Sequence, residues 1–169
     1  NELLAASRPG RSWAVTTQQI GAAEYRVSGR GQYYSIERKI ELQPSRVAVT
    51  DTVTNLTNND LGIIVDNYLD MGKRDFPTRR LGGVPDVERR DAIHNPTAFV
   101  ARRGLGLGLV AMDDVYILHG TLHSAENGRT GIVDDKFGLA PKASYTMSWA
   151  VYPIGSDDYF DLVNVLRND

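Results

Sequence analysis

Apolar and polar residues alternate with a period of two over much of this chain. In Tyr34-Ser-Ile-Glu-Arg-Lys-Ile-Glu-Leu42, the side chains of Tyr34, Ile36, Ile40 and Leu42 fall on one face. Ser35, Glu37, Lys39 and Glu41 fall on the other, as a half-buried strand requires. Arg46 to Asn55 repeats the pattern, setting Val47, Val49 and Val53 against Thr50, Thr52 and Thr54. These residue types suit a pleated surface. Gln43-Pro44-Ser45 between the two runs is a turn, so the pattern predicts a hairpin. A second polar turn, Thr57-Asn-Asn-Asp60, leads into Leu61-Gly-Ile-Ile-Val-Asp-Asn-Tyr-Leu69 and extends the hairpin to a three-stranded meander. Shorter strands are expected over 13–18 and 24–27, and later ones over 97–101, 105–112, 115–119 and 145–154.

Two stretches interrupt the alternation. Residues 73–91 hold two prolines and two adjacent glycines with no sustained period, so 71–96 reads as a long loop of the kind that often carries function. Residues 120–136 read as a second polar loop. At the end of the chain the period changes. Ser156 suits an N-cap, Asp157 and Asp158 suit the positive end of a helix dipole, and Tyr159, Leu162, Val163 and Leu166 form an apolar stripe. Many short strands with one terminal helix predict an all-β, antiparallel β-sandwich with one short C-terminal helix. The sandwich is expected over 1–155, and the helix over 156–169 to lead into a following domain, because no stop signal ends it. Tyr159, Leu162, Val163 and Leu166 are then the expected interdomain contact. Left uncovered, Leu162 and Leu166 are the expected dimer contact.

Composition narrows the function classes. The 169 residues, 41% of them hydrophobic, suffice for one core without staples. The formal charge is −2, and Arg79, Arg80, Arg89, Arg90, Arg102 and Arg103 are interrupted by Asp86, Glu88 and Asp91. That leaves no basic face for nucleic acid, and the arginines read as a solvated loop. The absence of cysteine excludes disulfides and thiolate chemistry without fixing the compartment, for which a secreted or periplasmic setting is the expectation. No apolar run approaches the ~18 residues of a membrane helix, so no membrane partner is expected.

Candidate chemistry is sparse. His119 and His123 stand four apart, with Asp113, Asp114, Asp134 and Asp135 near enough in sequence to complete a metal site. Gly120 ends the element between them, so they read as ordinary histidines, and neither metal nor cofactor is expected. Glycoside hydrolysis needs two facing carboxyls about 5 to 9 Å apart, for which Asp51, Asp66, Asp70, Glu126 and Asp134 are the candidates. Gly104-Leu-Gly-Leu-Gly108 lacks the spacing of a nucleotide loop and implies close approach by a backbone or a packed ring. Trp149 alternates with Met147 and Val151 and belongs in the core. Trp13, near a strand start, and Phe76, in the long loop, are the candidates for stacking on a sugar.

Ile36-Glu-Arg-Lys-Ile-Glu-Leu42 followed by Arg46-Val-Ala-Val-Thr-Asp-Thr-Val-Thr-Asn-Leu-Thr-Asn-Asn-Asp-Leu-Gly62 resembles the strand, Asp-x-x-x-Asn, turn pattern of galactose-mutarotase-like super-sandwich domains. Leu139 to Pro153 and Asp158-Tyr-Phe-Asp-Leu-Val-Asn-Val-Leu-Arg167 are similar to the end of such a sandwich in large bacterial glycoside hydrolases, where a short helix leads into a barrel. The resemblance spans about half the chain. It implies a sandwich fold and a carbohydrate setting. It carries no catalytic residue across, because the family's histidine and acidic residues find no match in His94, His119 or His123.

Three functional expectations follow. The first is a non-catalytic module that braces or extends a neighbouring catalytic domain of a carbohydrate-processing protein, through residues 71–96 and the terminal helix. The others are an autonomous carbohydrate-binding or adhesive module, and a small carbohydrate-active enzyme using paired carboxylates. The expected partners are that neighbouring domain and carbohydrate.

Overall fold

The computed structural model describes residues 13–72, 76–124 and 128–169. Glu126 lies outside the described residues. In chain order the first strands are β1 (Ala14–Gly21), β2 (Glu24–Arg30), β3 (Tyr34–Leu42), β4 (Val47–Asn55), β5 (Leu61–Gly62) and β6 (Val65–Asp70). Then come β7 (Thr78–Leu81), β8 (Val84–Pro85), β9 (Arg89–Asp91), a 3-10 turn at Ala92–His94, β10 (Thr97–Arg102) and β11 (Leu105–Ala111). Helix α1 (Asp114–His119) precedes β12 (Thr121–Ser124), β13 (Arg129–Asp134), β14 (Gly138–Leu139) and β15 (Ser144–Ile154), and α2 (Tyr159–Asn168) follows them.

A nine-stranded sheet runs β1-β2-β3-β4-β15-β11-β10-β7-β8, and a four-stranded sheet runs β6-β13-β12-β9. Both are antiparallel, and they pack against each other as a β-sandwich. The β3–β4 hairpin closes with Leu42 opposite Val47, as the alternation predicts. The third strand of the expected meander does not join it. Residues 61–69 divide into β5, which pairs with β14, and β6, which crosses to the small sheet, while β15 takes the place beside β4.

Three other stretches differ from the sequence pattern. Residues 115–119 are helical rather than extended, because Asp113 caps the turn by accepting from the Tyr116 amide at 3.0 Å. The expected loops at 71–96 and 120–136 carry β7, β8 and β9, and β12 and β13, respectively. Their strands are short and place Thr130 and Asp134 on the buried face, which hides the alternation.

Between the sheets lie Val49, Leu81, Leu109, Tyr116, Leu122, Ile132 and Trp149. One end is filled by Tyr34, Val53, Ile63, Phe137, Leu139 and Met147. On the far face of the large sheet, α2 seats Tyr159 and Leu162 against Phe99, Val110, Tyr152 and Ile154. Gly106 and Gly108 make that seat. A Cβ on Gly106 would lie 2.7 Å from the Phe99 ring, and one on Gly108 would lie 2.6 Å from Leu162. The helix stripe is therefore covered by this chain's own sheet: Leu162 is 0% exposed and unable to join a dimer contact, while Val163 and Leu166 are half-buried. The N-cap of α2 is Asp158, which accepts from the Phe160 amide, rather than Ser156.

The Asp-x-x-x-Asn pair is internal. Asp51, 2% exposed, receives two hydrogen bonds from Arg38 at 2.7 and 2.8 Å and one from Trp149 Nε1 at 3.0 Å. Arg38 also donates to Asn67 Oδ1 on β6, Asn67 donates to the Tyr116 hydroxyl, and that hydroxyl donates to the Ile132 carbonyl. This chain of bonds ties one sheet to the other. Asn55 closes the following turn, donating to the Asn59, Leu139 and Ala140 carbonyls and accepting from the Thr57 amide.

Candidate functional site

In the small sheet Leu122, Ile132 and Asn67 point into the sandwich, so their neighbours along each strand point out. Register then collects the outer residues. Thr121 stands opposite Asp91 and Val133, His123 opposite Arg89 and Gly131, Asp66 opposite Val133, and Tyr68 opposite Gly131. From β12 the His123 imidazole reaches across β13, past Gly131, to β6. There its Nε2 lies 2.8 Å from Asp66 Oδ1. Further along, the Arg129 guanidinium sits 4.6 Å from the centre of the Tyr68 ring and 3.4 Å from Asp70 Oδ2.

At the β9 edge lies a groove of about 580 Å³ lined by Arg89, Arg90, Asp91, His94 and Thr121, where Arg89 and Asp91 stand on the outer face and Arg90, opposite Leu122, on the inner one. A backbone detail shapes it. Gly82, at φ +56°, turns the β7–β8 hairpin, and a Cβ there would lie 3.1 Å from Arg90 Cδ and Nε. The left-handed conformation and the missing side chain together let the Arg90 stem lie across the turn. Among the described residues, Arg90 Nε is buried with no hydrogen-bond partner. The wall beyond it is held by α2. The Tyr159 hydroxyl accepts from Asn95 Nδ2 at 2.8 Å and lies 2.9 Å from Thr97 Oγ1, and its ring abuts Gly83.

The face therefore presents amide-free, planar polar groups: carboxylates that accept, guanidiniums that donate, and imidazoles that do either. Such groups match vicinal hydroxyls.

The sequence candidates are dispersed. Trp13 is half-buried and lies over Gly29 and Gly31, with its ring edge-on to Tyr34 at 5.1 Å. Phe76 is half-buried in a separate apolar groove of about 800 Å³, with Met71, Leu105, Leu107 and Pro153. The two aromatics belong to different regions of the large sheet and form no common platform. Tyr159 and Leu162 are packed within the domain. Asp51 and Asp134 are buried, the first on Arg38 and Trp149, the second accepting from the Lys136 amide. Asp66 and Asp70 share a face of β6 but stand about 13 Å apart along the strand, beyond the spacing of a glycosidase pair. His119 Nδ1 is 3.6 Å from Asp134, away from His123. Among the described residues no group of three or more histidines and carboxylates is gathered for a metal. Arg89, Arg90 and Thr121 escape sequence reasoning because the strands that align them are too short to show a period. His123, two residues from Thr121, is the one available signal.

No family model matches the sequence, and no curated protein matches it. Solved structures do share the fold. A galactose mutarotase-like protein from Lactobacillus casei ATCC 334 superposes with a TM-score of 0.56 at 9% identity, over 82% of this chain and 72% of that one. A candidate aldose 1-epimerase from Escherichia coli K12 gives 0.55 at 12% identity, over 82% and 68%. A polysaccharide lyase gives 0.53 at 14% identity, over 92% of this chain and 27% of the lyase. At these identities the likeness is one of fold, and its neighbours are proteins of carbohydrate chemistry.

Proposed function

We propose that this chain is a non-catalytic β-sandwich module of a carbohydrate-processing protein that meets saccharide through the outer face of its small sheet. The carrying observation is that His123, Asp66, Thr121, Arg89 and Asp91 share one face that the core does not use. The fold neighbours support a carbohydrate setting, and the wide separation of Asp66 and Asp70 favours binding over hydrolysis. The apolar groove around Phe76, beside a Leu105 that is 71% exposed, is the surface assigned to a neighbouring catalytic domain.

Titration calorimetry against a panel of oligosaccharides tests the reading. Binding is expected, weakened about tenfold by Asp66→Asn and by His123→Ala, the loss of one charge-assisted hydrogen bond. Binding unchanged by both substitutions would remove this face from consideration.

A second reading rests on the 2.8 Å His123–Asp66 contact. A carboxylate that orients an imidazole is half of a general acid–base pair, as proton transfer on and off a sugar ring requires. Polarimetry of freshly dissolved aldoses separates the two. Faster anomer exchange, abolished by His123→Ala, would make the module an enzyme.

A further inference from the structure

We infer that β1 is a docking edge for a second copy of this chain, the two β1 strands pairing antiparallel across a twofold axis and joining their large sheets into one.

An edge strand offers a row of unpaired N–H and C=O groups, and native sheets blunt such rows with charge, proline or brevity. The edges of the two main sheets are β1, β8, β6 and β9. β8 is two residues long and contains Pro85, and β9 is Arg89-Arg90-Asp91. β6 carries Asp66 and Asp70. β1 is the longest of these edges, yet Ala14-Val-Thr-Thr-Gln-Gln-Ile20 holds neither a charge nor a proline. Its bulge, between Gln19 and Gly21, falls at its far end.

The strand is also bare on its faces. It pairs with β2 on one side, and every side chain from Ala14 to Gln19 is exposed, Val15 at 63%. Trp13, packed over Gly29 and Gly31, fastens its start to β2, so the extended edge is in place before a partner arrives. That lowers the ordering cost of adding a strand to it.

The absence of charge selects the occupant. In a twofold contact, residue i faces residue j while j faces i. Facing residues share a face of the sheet, so the central residue faces its own copy. A charge at the axis would meet itself, and like charges directly opposite are destabilising. The register centred on Thr17 sets Thr17 against the partner's Thr17, Thr16 against Gln18, Val15 against Gln19 and Ala14 against Ile20. All these pairs are neutral, and a threonine–threonine pair is among the favourable ones. A foreign strand would impose no such neutrality, since an edge of either charge can recruit its opposite. One shared ladder is small beside the roughly 1,600 Å² of a standard interface, so a dimer of about micromolar affinity or weaker is expected.

Sedimentation velocity of the chain, up to about millimolar concentration, tests the inference. A concentration-dependent dimer is expected, with β1 amides that exchange hydrogen more slowly as the dimer fills. Thr17→Lys and Thr17→Glu, at an exposed position, should each weaken the dimer roughly tenfold at unchanged circular dichroism. An equimolar mixture of the two variants should restore it, because Lys then faces Glu across the axis. A monomer at every concentration would overturn the inference. So would a dimer that both variants retain, or a mixture no better associated than either variant alone.

Discussion

Removing the Asp51 carboxylate would strand two donors at once, because Arg38 and Trp149 Nε1 both end on it. Breaking a buried ion pair by deleting one partner costs about 3 to 5 kcal/mol, and Arg38 is partly solvated, so Asp51→Ala should cost about 2 to 3 kcal/mol. Urea denaturation measures it as a lower midpoint at unchanged slope; a shift of under half a kcal/mol would deny the contact its role. Asp51 and Asn55 were visible in the sequence as a spacing before a turn. Their work was not, because Arg38 and Trp149 arrive from β3 and β15, the latter nearly a hundred residues away. The same limit hid Arg90. Nothing local distinguishes a guanidinium laid over Gly82 from one in solvent.

At the scale of elements, periodicity recovered what was long and missed what was short. The seven- to eleven-residue strands β2, β3, β4, β11 and β15 are legible as alternation. The two- to four-residue strands β7, β8, β9 and β12 are set by register with neighbours, which no single segment encodes. The terminal helix was legible as an amphipathic stripe, though not the surface it covers. The alternating glycines of β11 held that information: they mark where α2 comes down. Gly106→Ala would drive a methyl into the Phe99 ring and to 2.9 Å from the Ser156 carbonyl, at the entry to the helix. Overpacking of this kind should cost about 1 to 3 kcal/mol. Leu162→Ala, which empties a fully buried site, should cost about 2 to 5 kcal/mol. Thermal melts provide both values, and limited proteolysis should cut α2 first in each variant. Cleavage elsewhere would show that the helix is not the element released.

Across the whole molecule, three tyrosines report on three separate contacts. Burial raises the Tyr116 hydroxyl between the sheets well above its ordinary range. Burial, with the Asp113 carboxylate to which it donates, pushes Tyr145 up to about 12. Tyr152 beneath α2 is also raised, by burial first, against the opposing effect of Arg46. The unfolded chain would ionise near pH 10, before the folded one. The stability that these groups contribute is therefore complete below pH 10 and falls as the pH rises from 10 through the folded values. Spectrophotometric titration should show a lagging group of tyrosinates that merges with the rest on adding denaturant. Coincident titration in folded and unfolded chains would contradict the burial.

The place of β15 has a further consequence. It follows every other described strand in chain order, yet it lies between β4 and β11 in the large sheet. While the ribosome is still upstream of Ser144, the β1–β4 meander and the β10–β11 hairpin have no strand to join them. Each would wait with an open edge, a condition that invites association with other chains. Pairings so distant in sequence close slowly. The module should therefore fold only once β15 has left the ribosome, and chains stalled before Ser144 should require chaperones that chains carrying residues 144–169 do not.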